Sequence, residues 1–128
     1  MKNHWKLLLF LCFTTFAVKA QKPLPKQPDT VVQTIFTTYY AKKFEGRRTT
    51  SGERYRGAKL TAAHRTLPFG TMITVRNIVS GKTVTVRVND RGPFSKKFSL
   101  DLSQSAAKEL GIFRLGYARV DISYVLHK

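Results

Sequence analysis

Acidic side chains and cysteine are what this chain has least of. Seven Asp and Glu stand against 23 Lys and Arg in 128 residues, a formal net charge of +16, and Cys12 is the single cysteine. One thiol closes no internal disulfide, and a chain that loses its first twenty residues keeps no thiolate for catalysis. The three histidines are scattered: neither His4 nor His127 stands at ligand spacing from His64, and there is no H-x-x-x-H pair, so neither a metal nor another cofactor is expected. Long apolar runs are missing too. The longest, residues 7–18, falls short of the roughly 20 residues a bilayer-spanning helix needs, so stable membrane insertion is not expected.

What is present begins with a leader. Lys2, His4 and Lys6 form a basic start, residues 7–18 an apolar stretch, and Val18-Lys19-Ala20 a small-residue cleavage site. Residues 1–20 are therefore expected to be a signal peptide, with the protein exported to the periplasm or cell envelope. Cys12 sits inside the apolar run behind Phe10 and Leu11, a poor context for an acceptor thiol, so no lipid anchor is expected. Removing residues 1–20 takes away Lys2, Lys6 and Lys19 and no acid, so the +16 becomes +13. Such an excess points to an anionic partner. For an exported protein that partner is an anionic envelope polymer; nucleic acid is disfavoured, since no RNA-binding or zinc signature accompanies the charge.

Residues 21–31 hold Pro23, Pro25 and Pro28 and read as a linker. Residues 32–128 are then one domain of common size, with no room for a second module, and a monomer is expected. Strand signals dominate it. Residues 35–40, 72–78, 83–89 and 117–124 are rich in β-branched and aromatic residues, and Ser80-Gly81 makes the middle pair a hairpin. A helix is expected only over residues 104–110, with Ser103 as N-cap and Gly111 just past its end. Many short strands with one short helix predict a mainly β chain closed into a small barrel. Gly70 and Gly116 each open a strand after a hydrophobic turn, a faint internal echo.

Four turn-rich segments stand out. Thr49-Thr50-Ser51-Gly52-Glu53 is followed by a stretch from Leu60 to Gly70 carrying L-T-A-A-H-R-x-L-P-F-G. Next comes Asn89-Asp90-Arg91-Gly92-Pro93-Phe94, and last D-L-S-x-x-A-A-x-x-L-G from Asp101. In this order and spacing they resemble the rare lipoprotein A (RlpA) family. The resemblance runs from about Thr38 to Val125. It implies a six-stranded double-psi β-barrel and endolytic peptidoglycan lytic transglycosylation, which cuts glycan strands and leaves 1,6-anhydromuramoyl ends. A non-catalytic polysaccharide-binding protein of expansin or barwin type is the alternative on the same fold.

The residues that carry chemistry follow. Asp90 ends an alternating strand, where burial would lift a carboxyl into range to donate a proton; capping its own turn is the competing use. Glu53 lies among Arg47, Arg48, Arg54 and Arg56, which should keep it ionised and suited to stabilising positive charge. The resemblance makes Asp90, Glu53 and His64 the catalytic group, with His64 orienting Asp90 or binding substrate. Arg91 offers a planar fork for a sugar carboxylate. Tyr40 could stack on a sugar ring, though packing is the commoner use of such a residue. Asp101, just ahead of Ser103, is expected mainly to support the helix start, with contact to substrate as its second reading.

Overall fold

The computed structural model describes residues 29–127. The expected leader, Cys12 and the proline-rich residues 21–28 lie outside them. Six strands run in the order β1 (Asp29–Tyr39), β2 (Thr61–Ala63), β3 (Met72–Asn77), β4 (Thr83–Asp90), β5 (Leu100–Leu102) and β6 (Ala118–Leu126). A 3-10 turn, Lys42–Phe44, follows β1, and the helix α1 (Gln104–Leu110) follows β5.

The strands close a barrel in the order β1-β5-β2-β4-β3-β6. Splitting the chain into β1-β2-β3 and β4-β5-β6 exposes its symmetry. The parallel pair β2–β4 corresponds to the parallel pair β5–β1, and antiparallel β3–β4 corresponds to antiparallel β6–β1. The remaining pairs, β2–β5 and β3–β6, lie across the pseudo-twofold axis. This interleaving of two equivalent halves is the double-psi barrel. The echo at Gly70 and Gly116 belongs to it: both take positive φ (90° and 81°) just ahead of β3 and β6, a conformation that side-chain-bearing residues rarely adopt.

Alternation in the sequence becomes inside and outside in the barrel. Ile73, Val75, Val86, Val88, Val120 and Ile122 are buried, joined by Leu100 and Leu102 from β5. Each such side chain contributes about 1.5–3 kcal/mol on burial. Helix α1 adds Ala106, Ala107 and Leu110 to the same core. Ser103 Oγ accepts from the Ala106 N–H at its start, and Gly111 closes its end at φ 79°, as the cap residues predicted.

The start of β1 departs furthest from expectation. β1 begins at Asp29 rather than at residue 35, so residues 29–31 of the expected linker are strand. The cause is tertiary: β1 pairs with β6 without a break from Asp29↔Leu126 to Thr37↔Ala118. The polar residues Thr30, Gln33 and Thr34 conceal that partner in the sequence. β2 and β5 are three residues each, too short for any periodicity to announce.

Candidate active site

Asp90 reaches the outside of the barrel through an irregularity. Val84, Val86 and Val88 point inward, so strict alternation would send residue 90 inward as well. Between Ala62 and Ala63 of β2 the register with β4 slips: Ala62 faces Val88, but Ala63 faces Asp90. Asn89 is the extra residue of a β-bulge, which re-aims the side chain that follows.

Three donors meet the Asp90 carboxylate. The Tyr40 hydroxyl donates to Oδ2 at 2.5 Å, and the backbone N–H groups of Thr50 and Arg91 donate to Oδ1 at 2.9 and 2.8 Å. Burial pushes the Asp90 pKa up, but these hydrogen bonds outweigh it, and the net shift is downward. The expected lift of Asp90 by burial is thus reversed, because a strand end offers backbone donors as well as shelter. Tyr40, pushed above its ordinary value by burial and then by Asp90, stays a donor.

Asp101 is the opposite case. It stands on β5 between the inward Leu100 and Leu102 and faces outward, opposite Ala63 of β2 and Thr38 of β1. Its Oδ1 is sealed from solvent and has no hydrogen-bond partner among the described residues. Burial, and after it the negative charge of Asp90, raise its pKa to about 6. It does not cap α1; Ser103 is the N-cap. Alternation could have exposed it: a single aspartate between two leucines on a barrel strand has to face out.

Beneath the two carboxylates lies a small aromatic cluster outside the barrel. Tyr40 packs on Tyr55 with ring centroids 4.4 Å apart and against Phe44 at 5.9 Å, over Ala63. Tyr40 is only 9% exposed, so its ring is no open stacking surface. The Tyr55 hydroxyl accepts from the Gln104 N–H at 3.1 Å, tying the cluster to the start of α1.

Glu53 is held by a residue the sequence reading passed over. Arg87 of β4 donates to both of its oxygens, at 2.8 and 2.9 Å, and Asn89 Nδ2 donates to Oε2 at 3.1 Å. The hydrogen bonds from Arg87, followed by that from Asn89, lower the Glu53 pKa to about 2, so it is ionised as expected, though none of the four neighbouring arginines is the cause. The pair clasps residues 49–53 against β4, where Ser51 N–H donates to Asn89 O and Thr50 N–H reaches Asp90.

His64 and Arg91 build the other wall. The His64 backbone N–H donates to Asp90 O at 3.1 Å, while its ring Nδ1 accepts from the N–H groups of Thr66 and Leu67 at 3.2 and 3.1 Å. An accepting Nδ1 leaves the proton on Nε2. Burial, with Arg65 and Arg91 nearby, lowers its pKa and favours this neutral ring. One Arg91 nitrogen donates to His64 O and Leu67 O, and its guanidinium lies 4.0 Å from the Phe69 ring centroid. Both side chains brace the turn after β2. Of the six residues singled out, Asp90, Tyr40 and Asp101 adjoin one another, whereas Glu53, His64 and Arg91 hold the loops around them. No cluster of three or more His, Cys, Asp or Glu side chains that could hold a metal ion occurs among the described residues.

A sequence model of the lytic transglycolase family matches residues 32–122. The chain belongs to that family. Its relatives include the endolytic peptidoglycan transglycosylase RlpA of Haemophilus influenzae, 41% identical over 84% of this chain and 39% of that protein. The RlpA of Neisseria meningitidis is 41% identical over 88% of this chain and 47% of its own. A probable one from Treponema pallidum is 46% identical over 73% and 30%. This lytic transglycolase chain therefore spans less than half the length of these relatives. Among solved structures, the Streptomyces papain inhibitor superposes with TM-score 0.60 at 23% identity, covering 75% of this chain and 96% of that one. An expansin of Clavibacter michiganensis, solved with cellohexaose, gives 0.59 at 20% identity over 77% and 52%. These two likenesses speak for the barrel alone.

Proposed function

We propose that this chain is an exported lytic transglycosylase that cuts the glycan strands of peptidoglycan between N-acetylmuramic acid and N-acetylglucosamine. The observation that carries the reading is the pair of adjoining aspartates whose surroundings push their pKa values apart: Asp101, with an unpartnered oxygen, is raised to about 6, and Asp90, met by three donors, is lowered. Environments that push two carboxyls apart assign the acid and its counterpart.

Asp101 gives its proton to the departing glycosidic oxygen as the C1–O bond breaks. The fixed carboxylate of Asp90 stabilises the positive charge that develops on the ring. The sugar's own C6 hydroxyl then closes on C1, and its proton returns to Asp101. No water is consumed, and the acid is regenerated within the turnover. Glu53, His64 and Arg91 act by holding the loops that supply donors to Asp90. This exchanges the roles read from the sequence, where Asp90 was the donor.

Family membership and the names of the RlpA relatives support the substrate class. The leader of residues 1–20 supports export to the envelope, and the basic surplus suits a wall rich in anionic groups. Mass spectrometry of sacculi digested with the purified protein tests the reading. Anhydro-muramoyl ends are expected; reducing ends would make it a hydrolase, and the absence of soluble fragments would make it a binding protein.

A further inference from the structure

We propose that Phe36, Phe98, Tyr117 and Lys97 form a sugar subsite beside the two aspartates, in which the rings take a pyranose face and Lys97 takes a carboxylate borne by a muramoyl unit. The proposal rests on the peptidoglycan reading above and adds the residues that would recognise an acidic sugar.

The placement follows from strand geometry. Phe36, Thr38 and Tyr40 share the outward face of β1 and the residue after it. Tyr40 bonds Asp90, and Thr38 stands opposite Asp101. Phe36 is the next step along the same face, about 7 Å from Thr38 at the usual rise per residue.

Around Phe36 the surface is aromatic, open and positive. Phe36 is 38% exposed and Tyr117 47%. Phe98 meets Tyr117 edge to face at 5.8 Å. The Lys97 ammonium lies 4.1 Å from the Tyr117 centroid, 5.4 Å from Phe98 and 5.7 Å from Phe36. Lys97 has no ion-pair partner among the described residues, although three ion pairs form elsewhere.

The loop that carries Lys97 is braced. Arg65 donates to the carbonyls of Pro93, Ser95 and Phe98, and Ser99 N–H donates to Phe36 O at 3.0 Å. Arg65 thus holds Phe98 and Lys97 against β1. An aromatic surface with one ammonium that has no ion-pair partner among the described residues, on the same face as the carboxylates, suits a ring that is apolar on its face and anionic at its edge.

Calorimetric titration of the full chain tests this with three probes: a glycan tetrasaccharide whose lactyl carboxylates are free, the same tetrasaccharide bearing stem peptides, and the neutral N-acetylglucosamine tetramer. Lys97→Met keeps the apolar stem and removes the charge. It should weaken a muramoyl probe about tenfold, equivalent to about 1.4 kcal/mol, and leave the neutral tetramer unchanged. The probe that loses affinity tells whether the carboxylate is the lactyl group or the peptide. Phe36→Ala and Tyr117→Ala should weaken all three probes. Equal losses for acidic and neutral probes with Lys97→Met would overturn the carboxylate role, and wild-type affinity in all three variants would overturn the subsite. Should the wild type bind no muramoyl probe at all, the peptidoglycan reading itself fails, and the subsite with it.

Discussion

The end of β4 and the middle of β5 each present an aspartate to the same outer face, and the two surroundings do opposite things. Asp90 follows a bulge, where the chain leaves the ladder and free N–H groups converge, so its charge is welcomed. Asp101 lies within a ladder whose N–H groups are spent on neighbouring strands, so its carboxyl is sheltered without being solvated. Deeper burial without donors raises one acid, and backbone and hydroxyl donors at a strand end outweigh the shallower burial of the other.

Replacing either aspartate should sharpen that contrast most. Asp101→Asn should cost the 10² to 10⁴-fold typical of losing a general acid. It should also stabilise the fold at pH 8 by about 2 kcal/mol: holding a carboxyl at about 6 rather than 3.8 costs the folded state about 3 kcal/mol there, less a discount for partial exposure. Because the folded pKa is raised, that cost is absent below about pH 4 and grows as pH rises through 6. Asp90→Asn should also abolish turnover, yet destabilise by about 1–2 kcal/mol, since it removes an ionised acceptor. Here the folded pKa is lowered, so the stabilisation is present above the unfolded pKa and fades as pH falls through the folded one. Chemical denaturation at pH 4, 6 and 8 separates the two signs; destabilisation by both variants at pH 8 would break the contrast.

A middle-sized effect belongs to Tyr40→Phe. It removes one of three donors to Asp90 and leaves the ring packed on Tyr55. Activity should fall about 10- to 100-fold, as expected from the about 1.5–3 kcal/mol of a hydrogen bond to a charged group. The Asp90 pKa should rise, while Asp101 keeps its alkaline limb near 6, readable from the pH–rate profile.

Smallest is Glu53→Gln. Its bond to Arg87 is part-exposed, so thermal unfolding should register at most about 1 kcal/mol. Turnover should fall severalfold through a looser Thr50 donor, with the product unchanged. A dead Glu53→Gln variant that stays fully folded would place Glu53 on the substrate instead.

Most of the architecture was legible. Alternation over β3 and β4, the Ser80-Gly81 hairpin and the Ser103 and Gly111 caps are local signals that the barrel keeps. The start of β1 was hidden because its partner lies at the far end of the chain, and the two three-residue strands were visible only as motifs. At the site, sequence pointed to residues that the fold gathers in one region, but the direction of the Asp90 shift was not legible. The bulge at Asn89, the donors on Asp90 and the lone oxygen of Asp101 arise from register between distant strands, which no single segment encodes. Arg87 was missed because it reads as one more polar residue on an alternating strand. By sequence Tyr40 stands between stacking on a sugar and packing, because nothing in its segment shows Tyr55 lying against it.

The claim that Asp101 carries the proton and Asp90 the charge is tested most directly by carbon-detected NMR of the aspartate carboxyls across pH 2 to 8, with Asp90→Asn and Asp101→Asn fixing the assignments. The account predicts that Asp101 titrates near 6 and Asp90 below its ordinary range, and that removing Asp90 brings the Asp101 midpoint down. An Asp90 that titrates above Asp101 would contradict it and return the role of proton donor to the end of β4.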